Sequence, residues 1–153
     1  MSRARQFVVL SLVLFGVAGC SADRLPAPLR PSIEDELLLA ARRGDAIGVW
    51  AALASGTSPD HADDNGNTAL IFAARDGRLE IAEILIGYGA TVDWQDDEQV
   101  TPLILAASRN HPAIVDLLLH HGARPMIMDQ WGRTALDYAE RRGADDPIAA
   151  MLR

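Results

Sequence analysis

Four histidines are the side chains best suited to metal or acid–base chemistry, namely His61, His111, His120 and His121. His111 stands at the start of a predicted helix, whereas His120 and His121 end it, about a helix length away. Adjacent helical residues point in different directions, so His120 and His121 cannot easily hold one ion. No Cys, Asp or Glu joins them at the spacing of metal ligands. The sequence therefore predicts no metal site and no cofactor.

Pairs of acids occur twice, as Asp63-Asp64 and as Asp96-Asp97, 33 residues apart. Other residues recur at the same spacing, which favours repeated turns over a catalytic acid–base pair. Gly66 is likewise interpreted as a turn residue rather than part of a phosphate-binding loop. No serine or cysteine stands with a histidine and an acid in an arrangement typical of a catalytic nucleophile. The sequence therefore does not predict an enzyme.

The 33-residue spacing organises most of the chain, and the stretch 65–96 reads as one complete unit. Threonines, leucines, alanines and glycines all recur at this spacing. The sets are Thr68, Thr101 and Thr134; Leu70, Leu103 and Leu136; Ala73, Ala106 and Ala139; and Gly56, Gly89 and Gly122. A fixed period of this length is typical of a stacked array of small structural units.

The repeated core reads TALIFA from Thr68, TPLILA from Thr101 and TALDYA from Thr134. This motif and its period resemble the ankyrin repeat, whose core is T-P-L-H-x-A. The resemblance covers about residues 34–153 and implies an all-α solenoid of about four helix-turn-helix pairs with short hairpin loops. The implied repeats are 34–66, 67–99, 100–132 and 133–153. The chain departs from the family where Ile71, Ile104 and Asp137 replace the usual His.

Helix chemistry supports the same arrangement. Thr68 and Thr101 are suited to cap helices, because their hydroxyls accept hydrogen bonds from free amides of the first turn. Gly77 is suited to the left-handed residue that ends a first helix, and Asn110 is the best substitute for glycine there. Gln99 replaces a hairpin glycine, so its turn should be less ideal. The second helices are predicted to bury Trp50, Leu53, Ile81, Ile84, Leu85, Ile114, Leu117 and Leu118 against the stack.

Length, composition and net charge limit the classes of protein to which this chain can belong. A chain of 153 residues with 49% hydrophobic residues makes one domain with a shared core. Its formal charge is −7, and removal of an N-terminal segment that carries Arg3 and Arg5 would make it more acidic. Such acidity argues against nucleic acid and against a peripheral contact with anionic lipid, because phosphate groups need a basic face. It favours a cationic protein partner, and we expect a monomer.

The N-terminus has the pattern of a secretory signal peptide, with two early arginines, an apolar run at 7–17 and small residues before Cys20. The ending VAGC resembles the bacterial lipobox. That resemblance implies a lipoprotein signal peptide over 1–19, a diacylglyceryl thioether on the Cys20 sulfur, cleavage before Cys20, and acylation of the new amino terminus with a palmitate-type chain. Several acyl chains on one residue suffice for stable membrane anchoring. The alternative is an ordinary uncut anchor in which Cys20 is a small buried residue.

Residues 20–33 comprise the lipidated cysteine and a proline-rich tether. Pro26, Pro28 and Pro31 favour an extended, semi-rigid spacer. At about 3.1 Å per residue the spacer reaches roughly 30–40 Å. Alternatively, the segment packs along the first helix as a partial cap. Ser21 stands where an Asp would indicate retention in the inner membrane, which favours the periplasmic face of the outer membrane.

The resemblance to ankyrin repeats implies that hairpin tips and the exposed sides of first helices bind the partner. Phe72, Leu105 and Tyr138 recur at the 33-residue spacing and are predicted to form an exposed apolar stripe, unless they pack against the next hairpin. Trp94 replaces a small residue of the family pattern and should be partly exposed. Aromatic and arginine residues are the commonest interface anchors. The predicted binding residues are Trp94, Gln95, Phe72, Leu105, Tyr138, Arg75, Arg109, Trp131, Met128 and His61.

Together the two resemblances imply a lipid-anchored module that mediates protein–protein interaction at the bacterial cell envelope, facing the periplasm. By analogy with exported proteins of similar type, it would assist or restrain a periplasmic enzyme. The alternatives are an immunity protein that neutralises a toxin and a structural bridge between envelope components. Metal or haem handling by His111, His120 and His121 is the least favoured alternative.

Overall fold

Eight short α-helices follow one another in the part of the chain that the computed structural model describes, residues 33–143 and 145–153. The described residues belong to one compact unit, Pro31–Arg153. The predictions for the signal peptide 1–19, for Cys20 and for the tether up to residue 32 lie outside the described residues. The helices are α1 (Ile33–Arg43), α2 (Ala46–Ala54), α3 (Ala69–Asp76), α4 (Leu79–Gly87), α5 (Pro102–Ser108), α6 (Pro112–His120), α7 (Ala135–Glu140) and α8 (Pro147–Leu152).

The helices form four antiparallel pairs that stack side by side. Each odd-numbered helix packs against the helix that follows it, α1 on α2 through α7 on α8. Neighbouring first helices also contact one another, in the order α1, α3, α5, α7, and the second helices do so in the order α2, α4, α6, α8. This two-layer array confirms the predicted all-α ankyrin-type solenoid.

Threonine caps start the last three first helices, as predicted for Thr68 and Thr101. Each threonine hydroxyl accepts a hydrogen bond from the amide three residues on, which satisfies one free donor of the first turn. The pairs are Thr68 with Ile71 at 3.4 Å, Thr101 with Ile104 at 3.2 Å and Thr134 with Asp137 at 3.3 Å. At α7 the Asp137 carboxylate also accepts from the Thr134 amide, at 2.7 Å, and completes a capping box. Hydrogen bonds from the Thr134 amide and hydroxyl lower the pKa of Asp137, so the departure from the family His has a local role.

The turn after each first helix also joins neighbouring pairs. Gly77 and Asn110 adopt the predicted left-handed conformation, with φ of 73° and 64°. His111 lies against Gly77, and its Nε2 is 3.2 Å from the carbonyl oxygen of Arg75 in the preceding pair. A Cβ atom at Gly77 would come within 2.7 Å of the His111 ring. His111 therefore contributes to stacking.

The second helices bury one face, but α2 differs from the prediction. Leu53 is buried as expected, whereas Trp50 is exposed. The buried face of α2 contains Val49, Ala52 and Leu53, so Trp50 lies on the opposite side together with Ile47, one turn earlier. The prediction that Trp50 faces the stack is therefore wrong.

Candidate protein-binding surface

Three hairpins precede α3, α5 and α7, at residues 60–67, 93–100 and 126–133, and each folds around an aspartate. Asp63, Asp96 and Asp129 occupy the same position, and each carboxylate accepts two backbone amides of its own turn at 2.9–3.0 Å. Such Asx turns hold a tight loop without a regular strand. Turn chemistry is therefore confirmed for Asp63 and Asp96.

Neighbouring hairpins lie side by side and are joined at their bases. The Asp60 carboxylate accepts from the Thr91 amide at 2.7 Å and from its hydroxyl at 2.6 Å. One repeat on, the Asp93 carboxylate accepts from the Arg124 amide at 2.9 Å and from its Nε at 2.7 Å. These matched contacts fix the position of each hairpin relative to the next.

The second hairpin uses its two predicted binding residues partly for its own structure. Trp94 is half-buried, so its predicted partial exposure is confirmed. Its indole N–H donates to the Gly66 carbonyl of the first hairpin at 2.9 Å. Gln95 is exposed, and its side-chain amide donates to the Gln99 carbonyl at 3.0 Å. Trp94 thus joins two hairpins, and Gln95 closes its own.

The third hairpin presents a different surface. Met126, Met128 and Trp131 expose 76%, 51% and 55% of their surfaces. We call these three residues the apolar tip. At the 33-residue spacing their counterparts are Asp93, Gln95 and Glu98 in the second hairpin and Asp60, Ala62 and Asn65 in the first. Mostly polar positions are therefore apolar in the third hairpin.

A buried polar network lies directly behind the apolar tip. The Asp129 carboxylate is almost fully buried and accepts from the Tyr138 hydroxyl at 2.7 Å. The Arg133 guanidinium pairs with it at 3.2 Å and lies 4.7 Å from the ring centroids of both Trp131 and Tyr138. Burial alone would raise the pKa of Asp129, but hydrogen bonds from Tyr138 and from Arg133 and Trp131 together hold it below its usual value. Burial and the same carboxylate raise the pKa of Tyr138.

The predicted exposed stripe does not form as expected. Phe72 is only 4% exposed, so its predicted exposure is wrong. The guanidinium groups of Arg42 and Arg75 lie 5.5 Å and 5.0 Å from its ring centroid and cover it. Leu105 and Tyr138 are half-buried and pack against the core. Because neighbouring first helices pack closely, these side chains lie between the helices instead of on their exposed side.

The remaining predicted residues are scattered. Arg75 is half-buried and pairs with Asp76 at 2.9 Å, and the hydrogen bond from Arg75 lowers the pKa of Asp76. Arg109 is exposed at the end of α5, and His61 is half-buried in the first hairpin. Only Met128 and Trp131 of the predicted set lie together in an exposed apolar cluster. Sequence reasoning missed Met126, although its alignment with Asp60 and Asp93 at the 33-residue spacing could have indicated it.

Metal-type clusters and membrane-length apolar helices are both absent from the described residues. Within residues 33–143 and 145–153 no three His, Cys, Asp or Glu side chains come together as metal ligands would. No helix in the same ranges has the length and apolar content to cross a bilayer.

A family model described as ankyrin repeats (3 copies) matches residues 37–129, more than half of the chain. The protein belongs to the ankyrin-repeat family. A search of curated proteins found no match. Ankyrin repeats are non-enzymatic modules that generally mediate protein–protein interaction, so the exposed hairpin residues are candidates for contact with a partner.

Proposed function

We propose that this chain is a lipid-anchored ankyrin module that binds a protein partner through its third hairpin at the bacterial cell envelope. The observation that carries the proposal is the apolar tip of Met126, Met128 and Trp131. Exposed clusters of large apolar side chains are uncommon on monomeric proteins and mark interaction sites. Tryptophan supplies a rigid anchor, and methionine adapts its shape to a partner.

The packing of the fold does not account for this cluster. Among the described residues no further hairpin lies over the third one, and its turn is held by Asp129 and the left-handed Gly132. The Arg133 guanidinium stacks on Trp131 from one side and limits its movement. A side chain that is held in place before binding loses less conformational entropy when a partner arrives. The apolar tip is therefore suited to act as a preformed anchor.

The first two hairpins favour a cationic partner. Neither contains a lysine or arginine, and their tips carry the exposed acids Asp64, Asp97 and Glu98. Opposite charge across an interface speeds association and selects among partners. The partner would place an apolar side chain on the third hairpin and basic residues near the first two.

The lipid anchor rests on the N-terminal sequence, with its early arginines, apolar run and VAGC ending at Cys20. A periplasm-facing lipoprotein, on the outer membrane, would meet exported proteins only. The partner would then be a periplasmic enzyme that the module assists or restrains. Acylation of Cys20 and the tether would keep the repeats close to the membrane while leaving the hairpins accessible.

The partner site is tested with the double variant Met128→Ser/Trp131→Ser. We expect at least a tenfold loss of partner capture from envelope extracts, with a melting temperature close to that of the wild type. Tyr88→Ser is the matched control, because Tyr88 is also an exposed aromatic but lies at the end of α4. Equal capture by the double variant and the control would refute the hairpin as the site.

The anchor is tested by mass spectrometry of the protein isolated from membranes. The proposal requires Cys20 as the first residue, carrying acyl chains, and requires Cys20→Ser to leave the protein unacylated. A mature chain that begins elsewhere, or retains residues 1–19, would contradict it without affecting the hairpin site.

A further inference from the structure

A second exposed apolar cluster lies on the outer side of α2, in the first helix pair. Ile47 and Trp50 expose 79% and 54% of their surfaces and are one helical turn apart. At the 33-residue spacing their counterparts on α4 are Glu80 and Glu83. The next repeat thus has charged side chains at these two positions, whereas the first repeat has apolar ones. No described residue covers Ile47 and Trp50.

A cavity opens beside the exposed tryptophan. It has a volume of about 220 Å³ and is lined by Ala46, Ile47, Trp50, Glu80 and Ile84, between α2 and α4. The surface thus combines a projecting apolar ring with an adjacent apolar hollow. A surface that carries both a projection and a hollow can pair with an identical surface, since a two-fold interface matches each feature with its counterpart.

Charges of both signs flank this cluster. Arg43 is exposed at the end of α1, Arg78 is exposed at the N-cap of α4, and Glu80 and Glu83 are exposed along α4. No salt bridge within residues 33–143 and 145–153 includes any of these four side chains, although the charge of Arg78 also acts on Asp76 of the same chain. A second copy rotated by 180° would bring arginines of one chain towards glutamates of the other.

We infer that a second copy of this chain binds at the α2–α4 face, in place of the monomer expected from the sequence. Trp50 of each copy enters the hollow beside Trp50 of the other, and the arginines and glutamates pair across the two-fold axis. Only Ile47 and Trp50 supply large exposed apolar side chains on α2, so the dimer is weak and its population depends on concentration. This face is separate from the third hairpin, and the inference does not rest on the proposed partner.

Sedimentation equilibrium of the full chain over a range of concentrations tests the dimer. We expect Trp50→Glu to raise the dimer dissociation constant about thirtyfold, as removal of a central aromatic anchor does. Trp131→Glu is the matched control, because Trp131 is equally exposed but lies on the third hairpin. Equal effects of the two variants, or a wild-type chain that stays monomeric, would overturn the inference. So would a Trp50→Glu variant that loses folding stability instead of self-association.

Charge reversal tests the two-fold geometry independently. One variant carries Arg43→Glu/Arg78→Glu and the other Glu80→Arg/Glu83→Arg, so each repels its own copies. We expect either variant alone to associate at least tenfold more weakly than an equimolar mixture of the two. A mixture no stronger than the separate variants would refute reciprocal pairing. Association through the N-terminal apolar run would not respond to this exchange.

Discussion

The second and third hairpins share a backbone frame but differ in what they present. Asp96 and Asp129 occupy the same position and close the same turn. Trp94 of the second hairpin donates to the carbonyl of Gly66, whereas Trp131 of the third is exposed beneath an arginine. One backbone frame, repeated at the 33-residue spacing, thus carries a tryptophan that joins two hairpins in one repeat and an exposed tryptophan in the next.

The bases of the two hairpins show the same division. Asp93 accepts two hydrogen bonds from Arg124 and so links the second hairpin to the third. Its counterpart in the third hairpin is Met126, which cannot make such a link and is exposed. Met126 therefore stands where the second hairpin has an acid that links it to the next hairpin. Among the described residues no fourth hairpin follows that would need such a link.

The largest expected difference separates the two tryptophans. Trp94→Ala should lower the free energy of unfolding by about 2–4 kcal/mol, because it removes a packed ring and leaves the Gly66 carbonyl without its donor. Trp131→Ala should change it by less than about 0.5 kcal/mol, as is usual for exposed positions. Urea denaturation of both variants measures the difference. Similar losses in both would remove the distinction between structural and binding hairpins.

The buried Asp129 of the third hairpin should make its stability depend on pH, which the variant Asp129→Asn tests. We expect a loss of about 1–3 kcal/mol at pH 7, since the Tyr138 hydroxyl and Arg133 lose a buried charged acceptor. The pKa of Asp129 is lowered on folding, so its stabilisation is present above about pH 4 and is lost as the pH falls through the folded pKa. The wild type and the variant should therefore converge in acid. Asp96→Asn, which lacks such partners, should show a smaller loss, and a constant gap across pH would contradict this account.

The turn residues of the two hairpins predict effects of opposite sign. Gln99 adopts φ of 60° where Gly132 adopts 71°. Gln99→Gly should raise the free energy of unfolding by up to about 1 kcal/mol, because a side chain is strained in the left-handed region. Gly132→Ala should lower it by about the same amount. Thermal denaturation resolves both changes, and a destabilised Gln99→Gly variant would show that the Gln95 contact outweighs the strain.

The smallest expected effect on stability comes from making the third hairpin resemble the second. Met126→Asp/Trp131→Glu introduces the residue types found at Asp93 and Glu98. Stability should change by no more than about 0.5 kcal/mol, because both side chains are exposed. Calorimetry checks this, and a large loss would assign the apolar tip to the core.

The sequence was sufficient for the fold because the determinants are local and repeated. Thr68 and Thr101 cap their helices, and Asn110 takes the left-handed turn, each for reasons visible in the neighbouring residues. The surface was harder to predict because exposure depends on how closely neighbouring pairs approach. The sequence left open whether Phe72 is exposed or packed, and in the structure Arg42 of α1 and Arg75 of α3 cover its ring.

The two tryptophans illustrate the same limit. Trp94 and Trp131 both stand near hairpins, and composition does not distinguish them. Only the position of the first hairpin's carbonyl within reach of Trp94 assigns it a structural role. Trp50 was predicted to face the stack together with Leu53, yet the buried face of α2 consists of Val49, Ala52 and Leu53.

Site-specific photo-crosslinking in intact cells shows whether the third hairpin contacts a partner. A photoreactive residue is placed at position 131 and, as a control, at position 88, where Tyr88 is exposed on the end of α4. The account predicts one defined adduct with a single exported protein from position 131 and none of that adduct from position 88. The absence of an adduct at 131, or the same adduct from both positions, would contradict a binding site on the third hairpin.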